Sequence, residues 1–157
     1  MRVVAPTIEI PQFAHRVNQR ALRYYARLTP VLDYVEANLS KQISLDEAAR
    51  LAGLERKYFS AFFRSKVGTT FTEWITLLRL HSAVERMRVR DESITSVAFA
   101  VGFSDVRAFQ RAFKRYLGVT PSAFRAFVRP ESGYMAPRPG FAPHSSRNRP
   151  RGPQARH

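Results

Sequence analysis

Apolar side chains recur along this chain at the spacing of an α-helix and not at the alternation of a β-strand. Phe59 and Phe63 lie four positions apart, and so do Phe109 and Phe113, with mostly polar residues around them. This spacing places apolar side chains on one face of a helix, which can then pack against the rest of the protein. Because the same periodicity runs through most of residues 30–128, the sequence predicts an all-α fold of about seven helices.

One structural unit is used twice, since residues 44–70 and residues 93–121 carry the same pattern. Gly53 aligns with Gly102, a short apolar helix precedes each glycine, and a helix rich in phenylalanine follows it. Two short helices around a glycine turn are typical of a helix-turn-helix unit. We therefore predict two helix-turn-helix subdomains, near residues 45–66 and 94–117.

Two pairs of residues have the spacing of a capping box, in which a hydroxyl and a carboxylate close the start of a helix. Ser44 is followed three residues later by Glu47, and Thr70 is followed by Glu73. The second pair opens a long helix near residues 71–88, with a length of about 27 Å. We expect this linker helix to join the two subdomains.

The repeated units lie in a domain that is flanked by two basic segments. We expect Thr29, which precedes a proline, to cap the first helix of a domain over residues 30–128. Residues 1–29 form a basic extension with helical spacing at 16–28, which is either solvated or docked on the domain. Residues 129–157 form a tail rich in arginine and proline, which we expect to be disordered.

The second helix of each unit carries polar and basic side chains on the face opposite its phenylalanines. Arginine suits guanine and glutamine suits adenine in hydrogen bonds to base edges in the DNA major groove. Alternatively these are ordinary solvated charges of an amphipathic helix, but the same basic face in both copies argues against that interpretation. The candidate residues are Arg56, Lys57, Ser60 and Arg64 in the first unit, and Arg107, Gln110, Arg111, Lys114 and Arg115 in the second.

Composition adds a bias towards a polyanionic partner. The net charge is +14, and the two flanks carry most of the excess, so charge alone is weak evidence for specific recognition. The absence of cysteine excludes disulfide scaffolds and thiolate metal sites, and the histidines are too scattered for a metal site. We expect no metal, no cofactor and no catalytic residues, and therefore no enzyme. No apolar run is long enough to span a membrane.

Two stretches resemble the AraC/XylS family of bacterial helix-turn-helix transcription regulators. They are residues 102–125, which read GFSDVRAFQRAFKRYLGVTPSAFR, and residues 43–74, which are followed by Arg79 and Ala83. The resemblance implies a seven-helix domain that contacts double-stranded DNA in two adjacent major grooves. It implies that the groove-facing residues are Lys57, Ser60 and Ala61 in the first recognition helix, and Arg107, Gln110 and Arg111 in the second.

The chain departs from the family pattern at two positions of the first unit. Members commonly have a polar or basic residue in place of Ala61, and a serine or aspartate cap in place of Glu55. Alanine can touch a thymine methyl group but cannot donate a hydrogen bond. We therefore expect the second half of a DNA site to be read more stringently than the first.

The sequence thus predicts a sequence-specific DNA-binding transcription regulator, an activator, that acts as a monomer on an asymmetric site. We expect it in the bacterial cytoplasm, associated with the nucleoid, with RNA polymerase as a candidate protein partner. Residues 1–29 are too short for a small-molecule effector domain, which is consistent with the stand-alone regulators of the family. Three alternatives stay open: a non-specific nucleic-acid binder driven by the basic flanks, a protein-docking module, and a fragment of a larger regulator.

Overall fold

The computed structural model describes residue 13 and residues 15–129 of the chain. This part is helical, and the all-α prediction of two helix-turn-helix subdomains joined by a long helix is confirmed. The expectations for residues 1–12 and 130–157 lie outside the described residues. The helices are α1 (Gln19–Tyr24), α2 (Thr29–Asn38), α3 (Leu45–Leu51), α4 (Arg56–Val67), α5 (Phe71–Val89), α6 (Ile94–Ala100), α7 (Val106–Leu117) and α8 (Pro121–Val128), with a 3-10 turn at Ala26–Leu28.

The two helix-turn-helix units, α3–α4 and α6–α7, turn in the same way. Gly53 and Gly102 have φ values of +65° and +100°, in the region that favours glycine. In the first turn the Leu54 N–H donates to the Ala49 carbonyl, and in the second the Phe103 N–H donates to the Ala98 carbonyl, each at 3.0 Å. These bonds satisfy carbonyls at the end of the first helix of each unit and redirect the chain into the second.

Aromatic side chains fill the core on the inner side of each second helix. Phe59, Phe63, Phe109 and Phe113 are fully buried, as the periodicity predicts. In the first unit Phe63 packs on Trp74 of α5, with ring centroids 5.4 Å apart. Each such ring removes a large apolar area from water, so these rings anchor both second helices against α5 and its neighbours.

The two predicted capping boxes are only half formed. Ser44 and Thr70 accept hydrogen bonds from the N–H groups of Glu47 and Glu73, at 3.3 and 3.1 Å. The two carboxylates do not return to the cap residues. Glu47 binds the Arg50 guanidinium, and Glu73 accepts from side chains of other elements. Arg50 donates two charge-assisted bonds to Glu47, and two hydroxyl groups donate to Glu73, so neither carboxylate bonds back to its cap residue.

The expectation that Thr29 caps the first domain helix is wrong. Thr29 has φ −56° and ψ −52° and therefore lies within the first turn of α2, while Leu28 occupies the cap position without a side-chain bond. The cause is the 3-10 turn at Ala26–Leu28, which runs directly into α2 and holds Leu28 fully buried. Thr29 consequently has no extended backbone from which its hydroxyl could cap the helix.

The described residues before α2 dock on the domain through apolar side chains. Phe13, Val17, Ala21 and Leu22 are all buried in the same core as the repeated units. The helical part is shorter than the sequence pattern indicates, because α1 covers only Gln19–Tyr24. This segment therefore belongs structurally to the domain that follows it.

The segment also completes the ends of two helices in the first unit. The Asn18 N–H donates to the Val67 carbonyl at the end of α4, at 2.8 Å. The Arg27 guanidinium donates to the carbonyls of Ala52 and Gly53 just after α3, at 3.3 Å each. Helix ends leave such carbonyls without internal partners, so α1 and its flanks stabilise both helices of the unit.

The linker helix α5 lies between the units and binds both. It has 19 residues and is about 28 Å long. Arg79, near its centre, donates to the carbonyls of Leu39 and Lys41 after α2, at 3.1 and 2.8 Å, and lies over the Phe103 ring of the second unit. Burial lowers the pKa of Arg79, which nevertheless stays charged because guanidinium groups do not deprotonate in proteins. Among the helices of the described part, none combines the length and apolarity needed to cross a membrane.

Candidate nucleic-acid interface

The second helix of the first unit, α4, begins without a side-chain cap. Glu55 holds the cap position in an extended conformation, but its carboxylate makes no capping bond. From this start the helix presents Lys57, Ala61 and Arg64 as exposed residues and Ser60 as a half-buried one. The outward face predicted for this helix is therefore present, although its side chains differ in how free they are.

Two of the candidate side chains on α4 are engaged within the protein. The Arg56 guanidinium pairs with Asp46 of α3 at 3.4 Å. The Ser60 hydroxyl donates to the Arg56 carbonyl one turn earlier, at 3.0 Å. The Ser60 hydroxyl proton and one nitrogen of the Arg56 guanidinium are therefore engaged, whereas Lys57 and Arg64 have no such partner among the described residues.

The second helix of the other unit, α7, begins with a full side-chain cap. The Asp105 carboxylate accepts from the backbone N–H groups of Arg107 and Ala108, at 3.0 and 3.2 Å. A carboxylate here also suits the positive end of the helix dipole. The first turn of α7, which carries Arg107, is thus held more firmly than the first turn of α4.

All five candidate side chains of α7 are exposed on one helical face. Arg115 lies over the Tyr116 ring, with its guanidinium carbon 5.4 Å from the ring centroid. Arg107, Gln110, Arg111 and Lys114 form no side-chain hydrogen bond or ion pair with the residues that the structure describes. This face therefore presents a row of hydrogen-bond donors, including the bidentate groups that suit purine edges.

The structure brings together each predicted set on its own helix, and it adds Tyr58, which the sequence did not single out. Tyr58 is 61% exposed beside Lys57, on a side of α4 that the sequence interpretation left unassigned. Its position one residue before the buried Phe59 is the signal that could have identified it, because adjacent residues on a helix point about 100° apart. Within the described residues, no group of three or more histidine, aspartate or glutamate side chains could hold a metal ion.

Comparison with known proteins identifies the domain. A family model described as "Helix-turn-helix domain" matches residues 48–126, which include most of both units. The probable transcriptional regulator LumQ of Photobacterium leiognathi is 34% identical over 66% of this chain and 42% of its own length. The transcriptional activator AarP of Providencia stuartii is 29% identical over 62% of this chain and 73% of its own length. The chain thus spans less than half the length of LumQ.

The fold also matches a solved structure. The DNA-binding domain of AdpA, a global transcriptional factor whose crystal structure contains a target DNA, superposes with a TM-score of 0.63. It is 29% identical, and the match covers 69% of this chain and 97% of the AdpA domain. Together with the repeated turn glycines and the shared phenylalanine pattern, these matches show that the chain belongs to the AraC family of helix-turn-helix transcription regulators.

Proposed function

We propose that this protein is a sequence-specific regulator of transcription that binds double-stranded DNA through α4 and α7. The observation that carries the proposal is the exposed face of α7, where Arg107, Gln110 and Arg111 stand on a capped helix without competing partners among the described residues. The similarity to the AdpA domain, which was solved with a target DNA, supports the same conclusion.

The two recognition helices have different tasks in this proposal. Residues of α7 read base edges, because their guanidinium and amide donors are free to reach purines. In α4, Lys57 and Arg64 bind phosphates and set the register, while Ala61 contacts the groove without donating a hydrogen bond. The second half of the site is therefore read more stringently than the first.

One chain is sufficient for such a site because it carries both recognition helices. Two different faces on one polypeptide fit an asymmetric site, so we propose that the protein binds DNA as a monomer. The linker α5 is about 28 Å long, close to the ~34 Å that separates successive major grooves on one side of DNA. The similarity to AarP, described as an activator, favours activation. We propose RNA polymerase as the protein contacted and the bacterial cytoplasm as the compartment.

The test is selection of bound sequences from a pool of random duplexes with the full chain. We expect two short conserved blocks whose centres lie about one helical turn apart. The selected site should bind roughly 10³-fold more tightly than a scrambled duplex at physiological salt. Equal binding of both duplexes at every salt concentration would contradict sequence-specific regulation and leave a charge-driven binder.

A second experiment tests the division of labour between the helices. Each base pair of the selected site is substituted in turn, and binding is measured for every duplex. Substitutions in the block read by α7 should weaken binding by about 1–3 kcal/mol each. If the block read by α4 proves to be the more sensitive one, the proposed roles of the two helices are reversed.

A further inference from the structure

Three residues that precede α1 contact the carboxyl-terminal ends of both recognition helices. They are Phe13, Arg16 and Asn18, which we call the brace. Neither the repeat pattern nor the family match, which begins at residue 48, includes them. Their contacts connect α4 to α7 by a route that does not pass through the linker helix.

The first anchor of the brace is the end of α4. The Asn18 N–H donates to the Val67 carbonyl at 2.8 Å, and the Asn18 amide donates to the Lys66 carbonyl at 3.4 Å. The Arg16 carbonyl lies 3.6 Å from the point where Gly68, the C-cap of α4, would carry a side chain. The backbone of the brace is therefore packed directly on the last turn of the first recognition helix.

The second anchor is Tyr116, in the last turn of α7. The Phe13 ring packs edge-on against the Tyr116 ring, with centroids 6.3 Å apart, and Phe13 is only 2% exposed. The Arg16 guanidinium lies over the same ring, at 5.6 Å from its centroid. Tyr116 is thus held by an apolar and a cationic contact from one segment.

Glu73, in the first turn of α5, closes the arrangement. Its carboxylate accepts hydrogen bonds from the Tyr116 hydroxyl at 3.1 Å and from the Thr69 hydroxyl at 2.6 Å, and it lies 4.0 Å from the Arg16 guanidinium. Burial, with the neighbouring Glu73 carboxylate, raises the pKa of Tyr116, so its hydroxyl stays protonated as a donor. The brace, the start of the linker helix, the loop that follows α4 and the last turn of α7 therefore meet at one carboxylate.

Both recognition helices also pack on α5, and the brace matters because it adds a restraint at their carboxyl-terminal ends. Rotation about the residues flanking α5 would change both the distance and the angle between α4 and α7. Arg79 restrains a different pair of elements, which are the end of α2 and the turn between α6 and α7. The brace restrains the recognition helices themselves.

We propose that the brace sets the spacing between the two half-sites that the protein accepts, with Tyr116 and Glu73 as positioning residues. The proposal rests on the function proposed above, because half-site spacing has meaning only for a reader of two grooves. Adding one base pair between half-sites moves them apart by about 3.4 Å and rotates them by about 35°. A braced pair of helices cannot follow this change, whereas an unbraced pair can.

The first test compares duplexes whose half-sites are separated by the selected spacer and by one base pair more or fewer. The variant combines Tyr116→Phe with Arg16→Gln, which removes the hydroxyl bond and the cation but keeps the aromatic ring and an uncharged polar side chain at position 16. We expect the preference for the selected spacer to be about three- to ten-fold weaker in this variant than in the wild-type protein. Affinity for the isolated second half-site should stay unchanged, since neither substitution alters the exposed face of α7.

The matched control combines Tyr24→Phe with Arg20→Gln, the same chemical changes on exposed residues of α1 that have no brace contact. It should keep the wild-type spacer preference. The same loss in the control variant would overturn the proposal, because it would show that charge or general stability sets the preference. An unchanged profile in the Tyr116/Arg16 variant would overturn it as well.

The second test does not depend on DNA. The chain contains no cysteine, so spin labels can be attached at Ser65→Cys on α4 and Lys114→Cys on α7 alone. We expect a narrow distance distribution in the braced protein and a distribution that is broader or shifted in the Tyr116/Arg16 variant. If wild type shows no spacer preference because it binds no specific DNA, the proposed function fails, while the label distances still decide whether the brace fixes the helices. Equal distributions in both proteins would overturn the brace.

Discussion

The turn glycine of the first helix-turn-helix unit faces an exposed side chain, whereas the turn glycine of the second is enclosed by two other elements. A side chain at Gly53 would meet only the end of Arg27, at 3.6 Å. A side chain at Gly102 would overlap the Leu39 carbonyl and come within 2.8 Å of Arg79. The same local turn therefore lies at the surface in the first unit, whereas in the second unit it packs against the end of α2 and the linker helix.

The recognition helices differ in a corresponding way. Helix α4 has no side-chain cap, and its residues Arg56 and Ser60 are engaged internally, while its carboxyl-terminal end is completed by Asn18. Helix α7 has its own Asp105 cap and a free outward face. Duplication of a sequence pattern thus conserves the turn and the core, but each copy acquires its partners from the elements that surround it.

The largest expected difference between the units is the loss of stability when the turn glycine is replaced by alanine. Gly102→Ala should lower the free energy of unfolding by about 3 kcal/mol, because it combines an unfavourable φ with overlap of a backbone carbonyl. Gly53→Ala should cost about 1 kcal/mol, from φ alone. Urea denaturation of the two variants measures both values. Equal losses of unfolding free energy in the two variants would show that the close contacts of Gly102 do not affect stability.

The next difference concerns DNA. Arg111→Ala should reduce affinity for the selected site by about 1–3 kcal/mol at its own base pair and relax the preference there. Arg64→Ala should weaken binding of specific and scrambled duplexes alike and lower the salt dependence of binding by about one ion. Titrations at two salt concentrations separate the two patterns. If Arg111→Ala weakened all duplexes equally, Arg111 would be a phosphate contact.

Helix caps give a smaller contrast. Asp105→Ala removes two hydrogen bonds at the start of α7 and should cost about 1 kcal/mol of stability. Glu55→Ser, at the equivalent start of α4, should add a capping hydroxyl and stabilise the protein by about 0.5 kcal/mol. Thermal unfolding should give a lower midpoint temperature for Asp105→Ala and a higher one for Glu55→Ser than for the wild-type protein. A loss of stability in Glu55→Ser would mean that Glu55 has a role other than capping.

The smallest contrast is the response to acid of two glutamates, Glu47 in the first turn of α3 and Glu92 just before α6. Hydrogen bonds from Arg86 and Arg50 lower the pKa of Glu92 and Glu47, respectively. A lowered pKa stabilises the folded state above the ordinary carboxyl value, and this contribution is lost as pH falls through the folded-state value. Each glutamate-to-glutamine variant should therefore lose part of the stability difference between neutral pH and about pH 3.

Glu92 should show the larger change of the two. Its side chain is 18% exposed, against 37% for Glu47, and it also accepts from Ser96 and lies near Arg90. Solvent and salt therefore screen the Glu47 pair more strongly. Unfolding curves for both variants across this pH range provide the measurement, and a larger change for Glu47→Gln would reverse the ranking.

The sequence was sufficient for the parts of the fold that depend on local pattern. The buried rings at Phe59, Phe63, Phe109 and Phe113 follow from helical spacing, and the turn follows from the paired glycines. The exposed faces of α4 and α7 follow from the same spacing, since a side chain opposite a buried stripe faces solvent.

The remainder depends on contacts between distant segments, which a local pattern does not specify. Nothing near Glu73 indicates that its carboxylate binds Tyr116 instead of closing a capping box. Likewise, the sequence of the basic residues before α2 fits a solvated and a docked extension equally well until the carbonyls at the ends of α3 and α4 are located. In each case a polar group can bond to a nearby residue or to a distant segment. The two kinds of hydrogen bond have similar strengths, so the local sequence does not determine which one forms.

The contacts of Asn18 and Arg27 also determine where this recognition domain can be cut and joined. A fusion protein or domain exchange with its junction at residue 30 would keep both repeats intact. It would nevertheless leave the carbonyls after α3 and at the end of α4 without their donors, and it would uncover the core beneath Phe13. The transferable module therefore includes Phe13, and grafts that retain it should keep both the fold and the relative geometry of the two recognition helices.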